Sequence, residues 1–104
     1  MNINLDDLSE SAKSILRVVR ITRESSVEGY IGWLKDDRIS MNINEAEKAI
    51  QELVDKGIAE LVDKKAKPGK SVYHISYGLS ASGEFYNADE EYWRARELQD
   101  RVCP

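Results

Sequence analysis

The stretch from Asn42 to Leu79 constrains this chain most. It reads as a helix, a glycine stop, a strand, a lysine-rich turn and a second strand. Ala46, Ala49, Ile50, Leu53 and Val54 recur at helical spacing with polar residues between them, so one face of this helix is expected to enter a core. Gly57 ends it, because glycine takes the left-handed C′ conformation without a Cβ clash. Ile58 to Val62 then reads as a strand. Asp63 to Lys70 is a charged turn with Pro68-Gly69 as its bend. Ser71 to Tyr77 is the second strand, and Leu79-Ser80-Ala81-Ser82-Gly83 is expected to open another helix.

Upstream, Asp6 to Thr22 reads as a first helix, with Asp6 or Ser9 able to cap it. Leu8, Ala12, Ile15, Leu16 and Val19 mark its core stripe. Lys13, Arg17 and Arg20 lie together elsewhere, either as a solvated face or as a phosphate-contacting or partner surface. Arg23 to Ser26 is a polar break. Ser26 can cap a short helix from Val27 to about Lys35, in which Gly29 and Gly32 would let another backbone come close or, alternatively, open a ligand pocket. A few residues of turn lead to Asn42, which with Glu45 has the spacing of a capping box.

Side chains alternate across a strand, so Tyr73, Ile75, Tyr77 and Leu79 are expected to face the core. His74 then falls on the other face, near solvent, with no Cys, Asp or Glu spacing to recruit it to a metal. A last helix is expected over about 88–102, capped by Asn87 or Ser80. Glu90 with Arg94 and Glu97 with Arg101 are ion pairs at i,i+4. It would either cover the first helix or pair with its copy in a dimer.

At 104 residues the chain is long enough for one domain, 1–104, and its core. No apolar run approaches the ~20 residues of a membrane helix. The start, Met1 to Asp7, lacks the basic and apolar regions of a signal peptide, so a cytoplasmic protein with no membrane partner is expected. Cys103 is an incidental thiol or a site of intermolecular pairing. No phosphate loop, activated nucleophile, metal-ligand spacing or nucleotide fingerprint is present, so neither an enzyme nor a cofactor or metal is expected. Tyr30, Trp33 and Trp93 could line a sensor pocket, although core roles are expected for them.

The net charge is −4, but its distribution is uneven: no acidic residue occurs between Lys64 and Gly83. Glu52-Leu53-Val54-Asp55-Lys56-Gly57-Ile58 resembles the end of a winged-helix recognition helix running into its wing. Tyr77-Gly78-Leu79-Ser80-Ala81-Ser82-Gly83 resembles the exit from the wing. Bacterial and archaeal transcription regulators of the MarR and PadR types share both features. The resemblance implies an α+β winged helix-turn-helix with three N-terminal helices, a two-stranded β-hairpin wing and a C-terminal helix. It also implies a small DNA-binding transcription regulator, a homodimer, that binds double-stranded DNA.

By position, the resemblance turns Asn42, Asn44, Glu45, Lys48, Gln51 and Glu52 to the major groove. Asn and Gln pair with adenine edges, and Lys with guanine or phosphate. Lys64, Lys65, Lys67 and Lys70 would hold the phosphate backbone without reading sequence. Glu45, Glu47, Glu52 and Asp55 depart from this pattern, since they decorate a helix meant to meet a polyanion. That acidic helix supports the alternative of a winged-helix protein–protein interaction module that does not bind DNA.

Overall fold

A computed structural model describes residues 5–102 of the chain, with the side chains of residues 6–95. Cys103 lies outside the described residues, and the Glu97–Arg101 pair outside the described side chains. The described residues form four α-helices and two small antiparallel sheets.

A single 3₁₀ turn, Leu5–Asp7, precedes α1, Glu10–Arg17. Ser9, not Asp6, caps α1 by accepting from the Ala12 amide at 3.2 Å. The helix stops five residues short of Thr22. Its last turn tightens, with the Val18 amide donating to the Ile15 carbonyl, and Val18 and Val19 both become fully buried. Arg23 to Ser26 is more than a break: Glu24–Ser26 is a strand, β1. Ser26 then caps α2, Val27–Asp36, by accepting from the Gly29 amide at 3.1 Å. The close approach expected at Gly29 comes from the Ser25 side chain, whereas Gly32 faces open space.

The turn after α2 donates from the Arg38 amide to Lys35 and from the Ile39 amide to Leu34, both at 2.9 Å. This is the pattern in which the C′ residue is left-handed. Arg38 occupies that position with φ 64°. Then α3, Ile43–Asp55, starts at Asn42. Asn42 accepts from the Glu45 amide at 2.8 Å. Glu45 accepts from the Asn42 side-chain amide at 2.8 Å, so the reciprocal bond runs between side chains and not back to the cap backbone. Gly57 ends the helix at φ 76° as expected, with the Ile58 amide reaching the Leu53 carbonyl at 2.9 Å.

The strands β2, Ala59–Asp63, and β3, Val72–Ile75, pair with each other, and β1 adds to the far edge of β3. The sheet order is therefore β1-β3-β2, three strands where two were expected. Tyr73 sits between Ser25 and Leu61, and Val62 is an extra residue that bulges β2. The second strand of the hairpin breaks at Ser76, whose amide donates to Ile58 and whose carbonyl accepts from Ala88.

A second hairpin follows, made of β4, Tyr77–Leu79, and β5, Phe85–Asn87. The helix expected to open at Leu79 is therefore a β-turn. The Gly83 amide returns to the Ser80 carbonyl at 2.9 Å, and the Tyr77 and Phe85 rings stack at 5.2 Å. That cross-strand aromatic pair favours strand over helix. Asn87 then caps α4, Ala88–Val102, by accepting from the Glu90 amide. Glu90 and Arg94 pair at 2.8 Å as expected.

One continuous core holds these elements. It takes Ala12, Ile15 and Leu16 from α1, Tyr30 and Leu34 from α2, and Ala46, Ala49, Ile50 and Leu53 from α3. Ile58, Ile75, Leu79 and Ala88 complete it. Burying this apolar area at ~25 cal/mol per Å² is the main drive for the assembly. Of the four residues expected to face inward from the hairpin, Ile75 and Leu79 are buried, and Tyr73 and Tyr77 are half-buried at the margin.

Candidate nucleic-acid interface

Asn44, Lys48 and Gln51 stand at spacings of four and three, so they share one exposed face of α3. Beside them lies a cleft of about 430 Å³, lined by Asn44, Glu47, Lys48, Gln51 and, from β3, Tyr73. Strand alternation marks Tyr73 only as a core residue. A half-buried tyrosine within a strand carries no sequence signal for a cleft, because the neighbour that makes the cleft is a helix far away along the chain.

The lysine loop, 64–71, is fastened beside this helix. The Gly69 amide donates to Glu47 Oε1 at 2.9 Å, which ties the loop to α3. The Gly69 and Ser71 carbonyls accept from the Glu28 and Val27 amides, which ties it to the first turn of α2. These are amides that a helix start leaves without intrahelical partners. Gly69 is buried with φ 82°, and a Cβ there would stand 3.0 Å from Glu28 Cγ. Glycine is therefore required by both backbone conformation and space.

The four loop lysines are not equivalent. Lys70 pairs with Glu28 at 2.8 Å and Lys65 with Asp63 at 3.0 Å. Among the described residues no carboxylate lies within ion-pair distance of Lys48, Lys64 or Lys67. Glu28 is the residue that sequence reasoning missed, since its pairing with Lys70 depends on the loop folding back over α2. On α1, Lys13 is held by Glu10 at 3.5 Å and Arg17 is exposed, while Arg20, expected on the same helix, lies past its end and is exposed.

The acidic residues of α3 have structural partners. Glu52 accepts from the Ser9 amide at 2.8 Å, joining α3 to the start of α1. Glu47 holds Gly69, Glu45 holds Asn42, and Asp55 accepts from Gln51 at 3.0 Å. Asn42 commits both of its side-chain polar atoms to the cap. The exposed side chains on this face with uncommitted polar groups are thus Asn44 and Lys48, with Gln51 able to exchange its bond to Asp55.

Away from this face, His74 is not near solvent as expected. Its side chain is 17% exposed, with Nε2 at 2.9 Å from Asp89 and Nδ1 at 3.4 Å from Glu24. Arg23 also pairs with Asp89 and stacks over the Tyr92 ring, 3.9 Å from its centroid. Partial burial pushes the Asp89 carboxyl up, but hydrogen bonds and charge from His74, with hydrogen bonds from Arg23 and Ser76, hold it below the ordinary range. This network fastens the first turn of α4 to β1 and β3. Tyr30 is fully buried, and its one hydroxyl proton is shared between the Arg23 carbonyl at 3.0 Å and the Tyr73 carbonyl at 3.3 Å. Burial, and then the nearby Glu24 charge, pushes that phenol up. Trp33 and Trp93 are exposed and do not join Tyr30 in the core.

Among the described residues no three His, Cys, Asp or Glu side chains are placed to hold a metal ion. None of the described helices is long and apolar enough to cross a membrane. Compared with known proteins, the chain matches no protein family, no curated protein and no solved structure.

Proposed function

We propose that this chain is a winged helix-turn-helix DNA-binding protein, a small transcription regulator that works as a homodimer and has no catalytic chemistry. The observation that carries the reading is the placement of the lysine loop. It is fastened to α3 through Gly69 and Glu47, on the side where Asn44, Lys48 and Gln51 are exposed. A polar helix face for the major groove and a basic loop for the neighbouring backbone are thereby held as one unit. The order α1-β1-α2-α3-β2-β3, with β1 added to the hairpin, supports the winged-helix plan. The hydrogen bonds of Glu47 and Glu52 to backbone amides give those carboxylates a role in the fold, which accounts for their presence on α3.

In this reading Asn44 and Gln51 enter the groove, and Lys48, Lys64 and Lys67, which no carboxylate among the described residues holds, neutralise phosphates. Each neutralised phosphate contributes ~0.9 to the slope of log K against log salt. Replacing these three lysines by glutamine should lower the slope by roughly 3 and weaken binding to every duplex alike. Lys70→Gln should change the slope far less, since Glu28 already holds Lys70. Fluorescence anisotropy titrations with duplex DNA over a range of salt measure both. Absence of binding at low salt would discard the DNA reading.

The second reading is a protein-interaction module. The net charge of −4 and the acidic side chains on α3, with Glu45 exposed in its first turn, favour it. A stoichiometric protein partner lost on reversing Glu45, without any DNA binding, would establish it.

A further inference from the structure

We infer that the cleft between α3 and β3 receives the sugar–phosphate ridge of DNA, and that the Tyr73 hydroxyl donates a hydrogen bond to a phosphate there. The inference rests on the DNA-binding reading and deepens it. A helix seated in the major groove and a basic hairpin on the adjacent minor groove straddle one backbone strand. The wide groove is filled by the helix, so what enters the gap between helix and hairpin is the ridge itself.

The lining of the gap is rich in hydrogen-bond donors, with one lysine against one carboxylate. Asn44, Lys48, Gln51 and Tyr73 supply donors. The one carboxylate, Glu47, has Oε1 taken by the Gly69 amide. Among the described residues the Tyr73 hydroxyl has no hydrogen-bond partner, and it is not sealed from solvent. The strand that carries it is fixed, because its carbonyl accepts from Tyr30 and its neighbours in the sheet are Ser25 and Leu61. Leu61, opposite Tyr73 and exposed, offers apolar surface to deoxyribose. A donor held in place before binding loses little freedom on contact.

A phosphate contact from a neutral hydroxyl has a distinct signature. Tyr73→Phe should weaken binding roughly 10- to 100-fold for every duplex, the scale of one hydrogen bond to a charged acceptor, with the salt slope unchanged. Lys48→Gln should weaken binding and lower the slope by ~0.9. Anisotropy titrations of wild type and both variants against several mixed-sequence duplexes, at several salt concentrations, test this. Equal affinity of Tyr73→Phe and wild type would overturn the inference while leaving the DNA reading intact. A loss confined to duplexes carrying one base pair would also overturn it, since that is a base contact. Failure of the wild type to bind any duplex would overturn the DNA reading itself. The variant keeps the ring, and a methylphosphonate scan of the duplex reads the same contact on the wild-type protein: no sensitive position would again overturn the inference.

Discussion

At the scale of single residues, the fold holds the Arg38 backbone in an unusual conformation and the Asp89 carboxylate in an ionic network. Arg38 is left-handed, a region that costs an L-residue about 1–2 kcal/mol. Glycine removes that cost but adds freedom to the unfolded chain, so Arg38→Gly should gain about 0.5 kcal/mol. In a domain of this size that is a rise of roughly 2–4 °C in Tm, readable by thermal denaturation. Asp89 carries the second effect. Its carboxyl is held below the ordinary value of 3.8, so it contributes stability that is fully present above that pH. That contribution is lost as pH falls from 3.8 through the lower folded value. The stability gap between wild type and Asp89→Asn should therefore narrow on acidification through that window, as measured by urea unfolding at a series of pH values. A gap that stays constant would place the role of Asp89 elsewhere.

At the scale of elements, the lysine loop behaves as part of the body. Its carbonyls cap α2, and its Gly69 amide binds α3. Gly69→Ala meets both a left-handed backbone and Glu28 Cγ at 3.0 Å, so it should cost about 1–2 kcal/mol. Hydrogen exchange should then show faster exchange at Val27 and Glu28, whose amides depend on the loop. Unchanged protection there would mean that the loop adapts while remaining docked. The same coupling explains why Glu47 and Glu52 stand on α3. Each completes a backbone group of a distant segment, and Glu52 joins α3 to α1 through Ser9.

At the scale of the whole molecule, α4 leaves a large aromatic surface open. Trp93 is 60% exposed, and Ile21 and Tyr92 are also exposed. The network of Arg23, His74 and Asp89 fixes where α4 departs from the sheet, and hence where that surface points. The homodimer proposed above would use this surface as its contact. Sedimentation velocity should find a dimer for the wild type and a monomer for Trp93→Ala, with the circular dichroism spectrum retained. A wild-type monomer at the concentrations used for DNA binding would remove the dimer from the proposal.

The sequence by itself determined the parts whose causes are local. The stripe Ala46-Ala49-Ile50-Leu53 places α3, the caps at Ser9, Ser26, Asn42 and Asn87 start the helices, and Gly57 stops one. Each depends on residues within a few positions, where periodicity and capping chemistry act. Tertiary structure decided what depends on partners far along the chain. Glu24 to Ser26 became a strand because β3 offered it an edge, and the segment after Leu79 became a hairpin because Phe85 came back to stack on Tyr77. His74 was drawn in by Glu24 and Asp89. The cleft beside α3 needed Tyr73 of β3, and the division of the lysines needed Glu28 of α2. Hydrogen bonds and ion pairs of this kind follow distance in space, which a local pattern does not encode.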